Sequence, residues 1–298
     1  MNESAKHFSL SIVHPMLFPG MPEDSIPETL SLIARDDFFS AVELSHVEST
    51  AVRKKIVDIL KTTRLGVILG AHPTILAQKL DLNSLDDGER KKAISKMKEL
   101  IDEAAEIGAN RLILMSGPDP DIEGRITCRN LLVSSLIELC SYGHQVDVSI
   151  SLEPFDRSVE KKCVIGPASD ALSVSEEVRR RFPDFGLTYD MAHAVLLDEN
   201  PADIVRKLKE HLVHVHLANC VKAASNPLYG DRHPRFGVDF GEIDAPQVAD
   251  FLRALSDIGY ASVESALVGF ELKPLPEESP DFIISNAKRT FNRATKML

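Results

Sequence analysis

Four residues of the kinds that hold divalent cations, Glu153, Asp190, His216 and Glu271, each close a short β-rich run whose alternation fixes where the side chain points. In DVSISLEP, Val148, Ile150 and Leu152 take one face while Ser149, Ser151 and Glu153 take the other. In FGLTYDMAH, Leu187 and Tyr189 oppose Gly186, Thr188 and Asp190, and in LVHVHLAN, Val213 and Val215 oppose His214 and His216. In LVGFELKP, Val268 and Phe270 oppose Gly269 and Glu271. Because side chains alternate along a strand, the apolar sets pack outward and the polar sets face a shared interior. Three carboxylates converging on one point repel one another and rise in pKa unless a cation compensates. The mixture of carboxylate oxygens and one imidazole suits a single divalent metal ion, with Mn²⁺ favoured and Mg²⁺, Co²⁺ or Zn²⁺ also compatible. Glu264, in GYASVESA, competes with Glu271 for the last position. Strand parity and the small Gly269 beneath the carboxylate favour Glu271.

Positioning four such groups requires strands that end at one rim. The chain alternates β-rich runs with segments of helical spacing. Strands are expected at Phe8–His14, Ala41–Val47, Leu65–Leu69, Arg111–Met115, Asp147–Glu153, Gly186–Asp190, Leu212–Leu217 and Leu267–Glu271. Helices are expected at Pro27–Phe39, Thr50–Thr62, Asp87–Ile107, Arg129–Tyr142, Ser169–Arg181, Pro201–His211, Ala245–Ile258 and Ser279–Met297. Eight βα units in 298 residues fit one closed α/β (β/α)₈ TIM barrel over residues 1–298, whose active sites lie at the C-terminal ends of the strands. An open doubly wound sheet ranks second, because no early Gly-rich dinucleotide loop is present. Gly108, Gly143 and Gly259 punctuate helix ends, and Pro201 sits at a helix start. The longest connection, Ala218–Asp244, directly follows the seventh strand, where long loops are usually functional.

The bulk properties narrow the partners. A net charge of −11 disfavours non-specific attraction to nucleic acid. Four scattered cysteines, Cys128, Cys140, Cys163 and Cys220, with no C-x-x-C pair, suit reduced thiols and a cytoplasmic location. No run approaches the roughly 20 apolar residues of a membrane helix.

At these residues the chain resembles the xylose isomerase-like TIM-barrel superfamily, which includes sugar isomerases, ketose 3-epimerases, inosose dehydratases and type IV apurinic endonucleases. The motifs are VEL at Val42–Leu44, SLEP at Ser151–Pro154, YDMAH at Tyr189–His193, HVHLAN at His214–Asn219, GDRHPRFGVDFGEID at Gly230–Asp244 and GFELKP at Gly269–Pro274. The resemblance implies metal ligation by Glu153, Asp190, His216 and Glu271, in agreement with strand parity. It also implies that Glu153 and Glu271 act as an opposing acid and base, and that His193 contacts a substrate oxygen. His72, His14 and Glu43 are expected at the same rim as further substrate contacts.

A metal gripping adjacent carbonyl and hydroxyl oxygens acidifies the neighbouring C–H, and a carboxylate removes the proton to give a cis-enediolate. Reprotonation on the next carbon isomerises; on the opposite face it epimerises. The expected activity is therefore isomerisation or epimerisation of a small sugar or hydroxy-carbonyl compound. Expulsion of a β-leaving group from the same enediolate makes a lyase or dehydratase, on an inosose, keto-sugar or keto-glycoside, the runner-up. Lys222, six residues beyond His216, is a candidate substrate contact that stands where ketose 3-epimerases place Arg, and Val159, six beyond Glu153, stands where they place a second Glu, which points to a different substrate. Asp231 and His233 match the D-x-H pair that supplies extra zinc ligands in the endonucleases, and are expected either to contact substrate or to build a second metal site with His72 and His193. The endonuclease pattern also needs a His at the end of the fourth strand, where this chain has Leu114, Met115, Ser116 and Gly117. DNA repair and a non-catalytic scaffold are accordingly minor readings, and self-association into a homo-oligomer is expected from related barrels.

Overall fold

A computed structural model describes residues 8–262 and 266–298. Eight parallel strands close on themselves in sequence order: β1 (Ser9–Val13), β2 (Ala41–Ser45), β3 (Gly66–Gly70), β4 (Arg111–Met115), β5 (Ser149–Glu153), β6 (Gly186–Asp190), β7 (Leu212–Ala218) and β8 (Leu267–Glu271). The helices are α1 (His14–Leu17), α2 (Ile26–Ala34), α3 (Thr50–Thr63), α4 (His72–Gln78), α5 (Asp87–Ile107), α6 (Arg125–Gly143), α7 (Ala168–Arg179), α8 (Met191–Leu196), α9 (Pro201–Leu208), α10 (Ala245–Asp257) and α11 (Pro280–Thr295). This is the (β/α)₈ TIM barrel expected from the alternation of elements. Among the described residues no helix is long and apolar enough to cross a membrane.

Strand parity governs the layers. Val148, Ile150, Leu152, Leu187, Tyr189, Val215, Val268 and Phe270 are buried against the helices. Ser151 and Thr188 meet inside the barrel with their hydroxyl oxygens 2.9 Å apart. The longer helices carry local signals that agree with this packing. In α5, Asp86 accepts the Glu89 N–H at the N-terminus, and Ala93, Met97, Leu100, Ala104 and Ile107 line the buried stripe. Gly108 then ends the helix at φ +84°, a left-handed conformation open to glycine at no steric cost. Gly143 works differently. It is the last residue of α6, and a Cβ there would stand 2.2 Å from the Val148 carbonyl oxygen, so its role is close helix–strand approach.

Several boundaries depart from the expectation. The first strand stops at Val13, because His14 opens α1 with a proline behind it. The second stops at Ser45, and the Val47 N–H turns to the Glu103 carboxylate at 2.8 Å. The helix expected over Pro27–Phe39 ends at Ala34; Phe38 and Phe39 instead pack edge-on beside Phe270 and Phe291. Asp147 adopts φ +58°, which belongs to a turn and shortens the fifth strand. Three short helices were not expected: α1 begins at His14, α4 at His72 and α8 at Met191.

Candidate metal centre

The four residues that end β5, β6, β7 and β8 converge as strand parity requires. One donor atom from each of Glu153, Asp190, His216 and Glu271 lies within 4.8 Å of all the others. His216 stands at the middle: its Nδ1 is 3.3 Å from Glu153 Oε1, 2.9 Å from Glu271 Oε2 and 3.8 Å from Asp190 Oδ2. Glu153, Asp190 and His216 are buried, whereas the Glu271 side chain keeps 16% exposure at the mouth. Glu264 lies outside the described residues.

Local chemistry holds each donor in place. Asp190 is both the last residue of β6 and the cap of α8: its Oδ1 accepts the N–H groups of Ala192 at 2.6 Å and His193 at 3.2 Å. Its other oxygen, Oδ2, is buried with no hydrogen-bond donor among the described residues. A buried carboxylate oxygen without a donor, facing two further carboxylates, is what a cation ligand looks like before the cation binds. The donor set therefore fits a divalent ion.

Glu43 lines the cavity, but both of its carboxylate oxygens are engaged. It lies inside the barrel on β2, where its Oε2 accepts from His216 Nε2 at 2.8 Å and its Oε1 accepts from Ser11 Oγ at 2.7 Å and His214 Nε2 at 3.1 Å. It thus orients the imidazole rather than reaching for substrate. Gly269 takes its meaning from the same group. An added Cβ would meet Glu43 Oε1 at 2.3 Å and His216 Cδ2 at 2.9 Å, so the glycine makes room for this carboxylate–imidazole pair rather than for Glu271.

His193 sits in the first turn of α8. Its Nδ1 donates to the Pro154 carbonyl at 3.0 Å, and its ring packs 4.2 Å from that of Phe155. Its Nε2 faces Asp231 Oδ1 at 3.1 Å, and His233 Nε2 faces the same oxygen at 2.8 Å. The β7–α10 connection carries Asp231 and His233 over the mouth and is braced internally: Asn219 accepts the Ile243 N–H and donates to the Arg235 carbonyl, both at 2.9 Å. His233 itself adopts φ +48°, a strained backbone held where its carbonyl accepts the Lys273 N–H. Asp190, His193 and His233 make a second group whose donor atoms lie within 4.8 Å of one another. His72, at the start of α4, brings Nε2 to 3.1 Å from Glu153 Oε2.

Two expected contacts are absent from the cavity. His14 is buried beneath α2, its Nε2 2.8 Å from Thr29 Oγ1, because α1 turns it away from the barrel axis. Lys222 lies on the surface and pairs with Asp198. Lys161, which sequence patterning did not single out, does line the cavity and pairs with Asp231 at 3.0 Å. Its loop is shaped by Asp156, which accepts the N–H groups of Val159, Glu160 and Lys161.

Burial and charge compete throughout the site. Burial raises Asp190 to about 6, the nearby His193 and His233 offsetting only part of the effect. Burial acts the same way on Glu153 and Glu271, but His216 outweighs it at Glu153, and His233 with His216 at Glu271, so both are lowered. Burial lowers the imidazoles; the surrounding carboxylates win, Asp231 first, and lift His193 to about 10 and His233 to about 9. Without a cation, protons on histidine balance the carboxylates.

A cavity of about 410 Å³ opens over this centre, with His72, Lys161, His216, Asp231, His233 and Glu271 on its polar side. Residues 33–285 match the family described as xylose isomerase-like TIM barrel. The chain belongs to this family. No curated protein matches the chain by sequence. Among solved structures it is similar to an L-ribulose 3-epimerase (TM-score 0.75, 16% identity, 97% of this chain and 94% of that one). It is also similar to an AP endonuclease, family 2, from Brucella melitensis (TM-score 0.72, 18% identity, 95% and 99%). A third is IOLI protein with a binding zinc atom (TM-score 0.70, 15% identity, 97% and 95%). At these identities the likeness speaks for the xylose isomerase-like fold. The histidine that the endonuclease pattern needs after β4 is missing: Met115 ends the strand, and Ser116 accepts the Ile165 N–H.

Proposed function

We propose that this chain is a divalent-metal-dependent isomerase or epimerase of a small sugar or hydroxy-carbonyl compound, with Glu153, Asp190, His216 and Glu271 holding the ion. The observation that carries the reading is the pair of carboxylates flanking one imidazole, Glu153 and Glu271 at 3.3 and 2.9 Å from His216 Nδ1, on a closed rim of four donors. The structural neighbours, an L-ribulose 3-epimerase and a barrel with a bound zinc atom among them, support the same chemistry.

When bound, the metal would polarise the substrate carbonyl and acidify the adjacent C–H. The residues then divide the proton transfers. Glu153, on β5, and Glu271, on β8, approach the centre from different strands, so one carboxylate takes the proton from the carbon and the other, protonated from solvent, delivers one to the planar enediolate. Delivery to the opposite face inverts the carbon; delivery to its neighbour moves the carbonyl. His72, beside Glu153 and on the cavity lining, offers an N–H group for the developing oxyanion, whereas both His193 nitrogens are engaged, by the Pro154 carbonyl and Asp231.

Incubating Mn²⁺-loaded protein in D₂O with ketoses, aldoses and keto-glycosides, and reading exchange at carbon by NMR, tests the reading. Glu153→Gln and Glu271→Gln at saturating metal should each slow exchange by about 10²–10⁴-fold. Unchanged exchange in both variants would remove the acid–base pair, and an unsaturated product would assign a lyase instead.

A further inference from the structure

The cavity over the metal centre is two-sided. Most of its polar groups lie toward the β5–β8 half of the rim, with His72 set against Glu153 and Glu43 against His216, while the wall built by the ends of β1 and β2 with α1 and α4 presents Val13, Pro15, Met16, Leu44, Pro73 and Leu76. The polar side chains on that side are already occupied. His14 is turned into the core against Thr29, and Glu43 is bonded to Ser11, His214 and His216. A free sugar presents a hydroxyl on nearly every carbon, and burying a hydroxyl without a partner is unfavourable. Beyond His72, which sits against Glu153 on the metal side, this wall offers such hydroxyls no free side-chain donor or acceptor among the described residues. Leu76, 47% exposed at the mouth, and the exposed Pro19 and Pro73 leave apolar surface open beside the site, which a substrate can cover.

We propose that the substrate carries an apolar substituent, an alkyl or aryl group attached to the hydroxy-carbonyl head, that packs against Met16, Pro73 and Leu76 while the head lies on the metal side. The proposal rests on the metal-site reading above and narrows its substrate class from free sugars to amphipathic hydroxy-ketones and glycosides. Lys161, paired with Asp231 at 3.0 Å, belongs to the polar side of the same cavity.

The test is a ligand-observed NMR titration of Mg²⁺-loaded protein with two probes that share a hydroxy-ketone head, 2-hydroxyacetophenone and 1,3-dihydroxyacetone. The aryl ketone should bind at least about tenfold more tightly, the return on burying a ring. Leu76→Ser, a surface change that leaves the core untouched, and Met16→Ser should each erase several-fold of that preference and leave dihydroxyacetone binding unchanged. Equal affinities, no binding of the aryl ketone, or a preference indifferent to both variants overturns the proposal. A dimer that Leu76→Ser dissociates, with the aryl ketone excluded from the wild type, assigns the rim to a second copy of the chain and also overturns it. Preferential aryl binding without deuterium exchange supports the apolar wall and counts only against the reaction.

Discussion

His216 is held from both ends: Nε2 donates to Glu43 at 2.8 Å while Nδ1 points at Glu153 and Glu271. The hydrogen bond to Glu43 fixes which nitrogen is free, so the imidazole presents an unprotonated Nδ1 when a cation arrives. Glu43→Gln keeps the shape and loses the charge. It should weaken divalent-metal affinity by about 10–100-fold, read by calorimetric titration of metal-free protein. Unaltered affinity would show that the ring needs no such partner.

The room for that pair comes from Gly269. Gly269→Ala would push a methyl to 2.3 Å from Glu43 Oε1 and 3.0 Å from Ser11 Oγ, and Glu43 is pinned by three neighbours. Overpacking of this kind should lower stability by about 1–3 kcal/mol in urea unfolding and displace His216. A variant as stable as wild type, with unchanged metal affinity, would mean that Glu43 swings aside freely.

Metal-free protein should become less stable as pH rises from 6.5 toward about 9. His193 and His233 are raised from 6.5 to about 10 and about 9, chiefly because the Asp231 carboxylate overrides their burial. Groups with raised folded values give stability that is complete below the unfolded value and is lost as pH climbs through the folded one. Thermal melts across that window should fall without metal and flatten with saturating Mn²⁺, since a cation held by Glu153, Asp190, His216 and Glu271 repels the protons of the adjacent His193 and His233 and brings their folded values back toward the unfolded one. Parallel curves with and without metal would count against a cation at this centre.

Strand-borne features were the most legible in the sequence, because a period of two dictates side-chain direction. Four strand-end donors were placed by Val148/Ile150/Leu152 against Glu153 and by the three matching alternations, and the fold followed from the same runs. Loop-borne features were legible only where a motif marked them, as the D-x-H pair marks Asp231 and His233. His14 looked like a rim residue because it follows a strand, yet Pro15 starts a helix that turns it inward. Lys222 was placed by spacing from His216, but spacing does not survive a loop that folds back at Val221 and Gly230. Lys161 had no periodic signal, since its position comes from backbone N–H groups gathered by Asp156. Lys222→Ala should therefore leave substrate KM unchanged, and a several-fold rise would restore it to the site.

Metal stoichiometry follows from how Asp190 divides its two oxygens. Oδ1 is committed to the α8 N-terminus, leaving only Oδ2 for a cation, although Asp190 belongs to both donor groups. The second group already has its compensation: Lys161 Nζ lies 3.0 Å from Asp231, and His193 and His233 hold their protons well above neutrality. A second cation there must displace an ammonium and two imidazole protons, whereas an ion at Glu153, Asp190, His216 and Glu271 meets an excess of carboxylate. Elemental analysis after dialysis at neutral pH should give about one ion per chain, and Asp190→Asn should reduce it toward none. Two tightly held ions would require the Lys161–Asp231 pair to open and would place His193 and His233 among the ligands.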